Sequence, residues 1–231
     1  FLIGQFKKIN INYIELLKEM CKISHCVICA SETHRKTLTK YNKNIYVIPD
    51  YHGEFENLNY DFTKNNIINN DINIMWEGYP ANLYSKEFVK IFKYLKHNNN
   101  ITLNIITDLN YNFFLNKFWN KKTENILLKN NINYKIYKWN IKNVINIALK
   151  SNFAIIPLSK NNLFEFNKPE NKLLLMWRLG LPTITSNTPA YTKLMHRNKN
   201  ENLLVTNNNW DEKIQFLIKN GRIVCCDLPP L

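Results

Sequence analysis

The sequence predicts an α/β fold, a parallel sheet with helices on both faces. Three observations carry this reading. From Asp71 onward, short apolar segments alternate with amphipathic ones, the rhythm of strands joined by helical crossovers. The strand-like segments, Phe153 to Leu158 above all, are apolar on both faces, as strands covered on two sides must be. Short Asn-rich or Pro-marked stretches separate the periodic segments and read as loops.

The elements run in order along the chain. Ile9 to Met20 has Ile11, Ile14 and Leu17 at helical spacing. His25 to Ala30 reads as a buried strand, Ser31-Glu32-Thr33 as a turn, and Ile45 to Ile48 as a short strand ending at Pro49-Asp50. Tyr51 to Asp71 is polar and irregular and suits a linker. The expected organisation is therefore the end of one α/β domain in 1–50, a linker in 51–70 and a second domain in 71–231.

In that second domain, Ile72 to Trp76 is a strand ending at Glu77-Gly78, and Asn82 caps the next helix. Ser85 to Lys96 is a helix with Phe88, Ile91, Phe92 and Leu95 on one face. Thr102 to Thr107 is a strand, Leu109 to Trp119 a helix, and Tyr134 to Trp139 a strand. Asn140 caps a helix through Leu149. After the strand at Phe153 comes a helix from Asn171 to Leu179, closed by Gly180, and a strand from Pro182 to Thr185. Pro189 to His196 is a helix, Leu203 to Val205 a strand and Trp210 to Asn220 a helix. The segment Cys225 to Leu231 has no assignment.

Composition narrows the function. The chain has 231 residues, 45% of them hydrophobic, enough for one large domain or one domain plus part of another. It begins at Phe1, which suggests a fragment or a trimmed start. Lys+Arg 31 against Asp+Glu 18 gives net +13, which fits nucleic acid, an anionic membrane surface or a phosphorylated small molecule. The basic residues are scattered, without zinc-finger spacing, RNP pattern or basic heptads, so nucleic acid is the minor reading. No apolar run has the form of a secretory signal or approaches the ~18 residues of a membrane span. Five cysteines in a chain of this length suggest no disulfide framework. Cys26-Val27-Ile28-Cys29 lies in a strand-like run and reads as buried thiols rather than a metal or redox site. The expected compartment is the cytoplasm.

The most informative stretch is Phe166 to Pro182. A polar loop holding Lys168, Pro169 and Glu170 meets an apolar helix that opens with Asn171 and Lys172. The first N–H groups of a helix have no partner within it, so such a start is a ready anion site. Two lysines add charge there, and a diphosphate is the obvious guest. In a parallel sheet, ligands bind beyond the carboxyl ends of the strands. That rule brings Trp76-Glu77-Gly78, Thr107-Asp108, Lys138-Trp139, Ser159-Lys160 and Ser186-Asn187 to the same rim.

From Asp71 to about Leu217, these pieces in this order resemble the Rossmann-like C-terminal, donor-binding domain of GT-B glycosyltransferases of the group 1, family 4-like kind. The match runs through Trp76-Glu77-Gly78, Asn82-Leu83, Asn104-Ile105-Ile106-Thr107, Phe153 to Leu158, Lys168-Pro169-Glu170-Asn171-Lys172 and Gly180-Leu181-Pro182-Thr183-Ile184. Cys26 to Glu32 and Ile45 to Asp50 resemble the last strands of the acceptor-binding domain. Many retaining members carry two glutamates separated by seven residues; counting back from Gly180, those places hold Asn167 and Leu175. The ribose contact and the stereochemical outcome therefore stay open.

The resemblance implies a transferase moving a sugar from a nucleoside-diphosphate donor to a glycan or lipid-linked acceptor, with no metal and no cofactor. Lys172 would face the diphosphate as a point charge. Glu170 would accept from ribose hydroxyls, or form a capping box with Asn167. Asn171 would bond phosphate or sugar, or cap locally. Lys168 adds positive charge, and Glu77 accepts a sugar hydroxyl. Gly78 lets the backbone approach a phosphate, or simply turns the chain. Trp139 flanks the base, or packs beneath it. Asp108 caps a following helix, and His52 lies in the linker. No catalytic residue is identifiable, and the acceptor side would come mainly from the first domain, so this chain alone would bind donor without turnover. Net +13 adds the expectation of docking at the inner face of an anionic membrane. The rivals are an epimerase of nucleotide sugars with the same fold, and a basic nucleotide- or nucleic-acid-binding module without chemistry.

Overall fold

The structure is a computed structural model that describes residues 13–49, 52–55, 71–112, 120–161 and 163–220. They gather into two compact units: 13–49 with Asn112 and Asn120 in one, and the remainder from His52 to Asn220 in the other.

The first unit pairs β1 (Val27–Cys29) with β2 (Ile45–Val47) in parallel. The helix between them, Glu32–Leu38, was expected to be only a turn; Ser31 starts it by accepting the His34 amide at 3.2 Å. The helix before β1 is Tyr13–Ile23, so the start expected at Ile9 lies outside the described residues. β1 is not the buried strand its composition suggests. Cys29 is buried, but Ile28 is 64% exposed and Cys26 is exposed. The crossover helix covers one face of this two-stranded sheet, and alternate side chains point away from it.

The second unit is built on six parallel strands. β3 (Ile72–Glu77), β4 (Ile101–Thr107), β7 (Tyr134–Lys138), β8 (Phe153–Ile156), β9 (Thr183–Ser186) and β10 (Leu204–Val205) lie in the order β10-β9-β8-β3-β4-β7. Counted within the sheet, the fourth strand is laid beside the first, so the winding reverses between β3 and β8. Right-handed crossovers running in both directions from that point put helices on both faces. The amphipathic spacing of the sequence supplies their inner sides: Phe88, Ile91, Phe92 and Leu95 from Lys86–Lys96, and Val144, Ile145, Ile147 and Ala148 from Ile141–Ala148. Ser85 and Asn140 cap these two helices through their side-chain oxygens.

Some expectations change. Asn82 does not cap the Lys86–Lys96 helix; it sits in a short 3-10 turn, Pro80–Tyr84, and its carbonyl accepts the Ser85 amide at 3.0 Å. Asn110–Asn112 is a strand, β5, where a helix was expected. Asn lowers helix propensity and the intervening Tyr111 favours extended backbone; 113–119 lie outside the described residues. Asp108 therefore precedes a strand rather than a helix, and its carbonyl accepts from Thr123 Oγ1. A further strand, β6 (Asn120–Lys122), leads into a helix at Glu124–Leu128 that periodicity had not revealed, being too short to show a face. Gly53–Phe55 is a 3-10 turn whose Phe55, 1% exposed, belongs to the core of the second unit; the rest of the expected linker, 56–70, lies outside the described residues, as does Cys225 to Leu231.

Candidate functional site

A cleft of about 350 Å³ opens where β3 and β8 end, at the reversal of winding. Trp76 and Glu77 enter it from β3, and Ile156, Pro157 and Leu158 from the end of β8. The far side is the Lys168 loop and the Asn171–Arg178 helix.

That helix is fixed at both ends by its sequence. Gly180 adopts φ 69, and the Gly180 and Leu181 amides return to the Trp177 and Met176 carbonyls at 2.8 and 3.0 Å. This is the αL closure that glycine supplies after a helix. Leu173, Leu175, Met176 and Trp177 are buried, so the first turn is left facing the cleft. The first helical bond runs from the Leu174 amide to the Glu170 carbonyl at 3.1 Å.

Of the residues singled out in the sequence, Lys172, Asn171, Lys168, Glu77 and Trp139 line this one cleft. Lys172 Nζ lies 2.8 Å from the Glu77 carbonyl oxygen and 2.9 Å from Glu77 Oε2. The ammonium of the helix is thus held against the end of β3. Burial pulls the Lys168 ammonium below its ordinary value; Glu165 and Glu77 work against that shift and Lys172 works with it. Trp139 is not buried by packing. It is 44% exposed at the rim, its amide bonded to the Thr107 carbonyl at 3.0 Å.

Two residues stand back from the cleft. Gly78 is required by its neighbour: a Cβ there would lie 2.6 Å from Trp76 Cζ2. Its carbonyl accepts from Thr107 Oγ1 at 2.6 Å. Glu170 occupies the N-cap position itself and makes no capping bond through its side chain, so it does not form a capping box with Asn167. Its Oε2 is buried without a hydrogen-bond partner.

Further residues complete the walls, His52 among them; Tyr191, Glu54 and Phe55 were not singled out in the sequence. Tyr191, from the Pro189–Arg197 helix, is buried, and burial pushes its phenol far up, with Glu170 and Glu77 adding to the effect. His52, Glu54 and Phe55 close another side. The Leu158 amide, just past β8, donates to Ser186 Oγ at 2.8 Å, and the Ser159 amide to Glu165 Oε2 at 2.6 Å. These bonds fix the loop above the cleft. Among the described residues, no group of three or more His, Cys, Asp or Glu side chains could hold a metal ion, and no helix is long and apolar enough to cross a membrane.

The fold, six parallel strands with a cleft at the winding reversal, matches that of a GT-B domain. Among solved structures the chain is similar to TarM, with a TM-score of 0.61 and 10% identity over 90% of this chain and 39% of that one. It is also similar to an O-GlcNAc transferase mutant from Thermobaculum terrenum, at TM-score 0.50 and 10% identity over 88% of this chain and 38% of that one. A third match is the catalytic domain of cholesterol-alpha-glucosyltransferase from Helicobacter pylori, at TM-score 0.44 and 16% identity over 64% of this chain and 87% of that one. The chain thus spans about two fifths of the length of the first and second of these proteins. At such identities the likeness is one of fold. No protein-family model matches the sequence, and no curated protein does.

Proposed function

We propose that this chain is the donor-side part of a glycosyltransferase, moving a glycosyl unit from a nucleoside diphosphate to a glycan or lipid-linked acceptor hydroxyl without a metal. The supporting observation is the convergence of Lys168, Lys172 and a helix start on a cleft at the β3–β8 reversal. Departure of a nucleoside diphosphate leaves negative charge behind. Ammonium groups and N–H donors already aimed at its position stabilise that charge without reorganising. Glu77 holds the Lys172 ammonium at the mouth of the cleft; a phosphate oxygen takes over part of that contact on binding. Asn171 supplies amide contacts, Trp139 a face for the base, and Glu170 an acceptor behind the phosphate-facing turn.

On this reading 71–231 is the donor-binding domain and 1–50 the end of an acceptor-side domain, and this chain alone binds donor without turning it over. The net charge of +13 supports docking at the cytoplasmic face of an anionic membrane, where lipid-linked acceptors reside. The test is calorimetric titration of UDP, GDP, CDP and ADP into the wild type and Lys172→Ala. One base is preferred, and the substitution weakens its diphosphate about tenfold or more, as expected for a charge-assisted contact. Salt-sensitive binding to random oligonucleotides, with none to any nucleoside diphosphate, refutes the proposal in favour of a non-catalytic basic module.

A further inference from the structure

His52 stands at the cleft wall in a defined protonation geometry. Its Nε2 lies 3.0 Å from the Asn171 carbonyl oxygen. A carbonyl can only accept, so Nε2 carries a proton, and a neutral ring bonded in this way presents Nδ1 as a lone pair. No described residue donates to Nδ1. The ring meets Phe55 edge-on, with centroids 6.3 Å apart and planes at 75°, and Phe55 is anchored in the core. The imidazole is therefore held from two sides, half-buried, against the cleft that Lys168 and Lys172 also line.

The chemistry of that lone pair selects its partner. Phosphate oxygens are acceptors and have nothing to offer it. Glu54 and Glu77, the carboxylates of the same cleft, are acceptors too, and Lys172 is already engaged by Glu77. A hydroxyl of the ligand is the complementary group. We infer that His52 is a ligand-positioning residue whose Nδ1 accepts a hydrogen bond from a carbohydrate hydroxyl of the bound donor, so that the cleft prefers a sugar-bearing phosphate ester to a bare diphosphate. The inference rests on the donor-site reading above.

Two substitutions separate the ring's two nitrogens. His52→Asn places an amide oxygen where Nδ1 stands and gives up the bond to Asn171. His52→Gln places an amide nitrogen where Nε2 stands, keeping that bond and giving up the acceptor. Each variant and the wild type are titrated with inorganic pyrophosphate, the preferred nucleoside diphosphate and its hexose ester. His52→Gln loses about tenfold on the sugar-bearing ligands and nothing on pyrophosphate, whereas His52→Asn stays within about twofold of wild type. The ligand at which the loss first appears shows whether ribose or hexose carries the hydroxyl. The reverse pattern assigns His52 a tether alone and overturns the inference, as do equal losses in both variants, no loss in either, or a parallel loss on pyrophosphate. A wild type that binds none of the three ligands overturns the donor-site reading and this inference together. Long-range ¹H–¹⁵N spectra of the wild type serve if a variant fails to fold. They show Nε2 protonated, and the Nδ1 signal moves on adding the hexose ester but not pyrophosphate. A proton on Nδ1, or an unmoved signal, overturns the inference.

Discussion

Gly78→Ala tests why a glycine follows β3. The added Cβ would stand 2.6 Å from Trp76 Cζ2, 3.1 Å from Cε2 and 3.2 Å from Cη2. Ordinary carbon contacts lie near ~3.5–4.0 Å, so the indole or the backbone must retreat by about 1 Å. The indole has little room to do so: Trp76 is buried and meets Phe88 edge-on at 5.1 Å. Gly78 does not use left-handed backbone, so the cost is steric, and forced overpacking of this kind costs about 1–3 kcal/mol. Urea unfolding followed by far-ultraviolet circular dichroism measures it. Trp76→Phe removes the colliding half of the ring, so the Gly78→Ala cost falls by about 1 kcal/mol or more in that background. A Gly78→Ala protein within about 0.5 kcal/mol of wild type, or strict additivity of the two substitutions, refutes the reasoning.

Two further outcomes stem from the charges of the cleft. Glu77→Gln removes the carboxylate from Lys172 and leaves the carbonyl contact in place; the ion pair, with side-chain exposures of 32% for Lys172 and 14% for Glu77, is worth about 1 kcal/mol or less. The variant binds the preferred nucleoside diphosphate about two- to fivefold more tightly by calorimetry, and weaker binding contradicts the assigned competition. Burial holds Lys168 below its ordinary 10.5, so on raising the pH the folded protein releases that proton before the unfolded chain does. Between the two values the unfolded chain binds more protons, and stability rises with pH. Lys168→Met removes that part of the alkaline rise in urea midpoints, and an unchanged pH profile in the variant shows that Lys168 is not its source.

Much of the second unit is legible because its signals are local. Phe88, Ile91, Phe92 and Leu95 announce a helix by spacing alone, and Asn140 announces a cap by chemistry, whereas the cap expected at Asn82 is made by Ser85. Continuous apolar runs give β8 as a strand covered on both sides. Expectation fails where an element is short or its stability is not local. Glu32–Leu38 buries none of its side chains, and Glu124–Leu128 is too short to show a periodic face. Asn110–Asn112 carried no apolar period to mark it as a strand. Phe55 looked like a linker residue because nothing beside it in sequence is apolar enough to suggest a core; its partners come from the second unit.

The candidate site was legible as a neighbourhood and not as a network. Strand ends and a helix start can be read from pattern, and the rule that they converge is topological. Partnership between side chains is not, because Lys172 and Glu77 lie 95 positions apart. Taken separately, one is a phosphate contact and the other a sugar acceptor; in the fold each is the other's counter-ion. The same holds for Gly78, whose reason lies in the Trp76 ring two residues back, visible only once β3 has turned that ring under the loop. The consequence is physical as well as interpretive. Lys168, Lys172, Glu54 and Glu77 line one cleft, so on the donor-site reading proposed above its attraction for an anion would depend less on the +13 of the chain than on how readily Glu77 gives up Lys172. A ligand that satisfies Glu77 with a hydroxyl while offering Lys172 a phosphate replaces both halves of the pair at once, and a bare anion replaces only one.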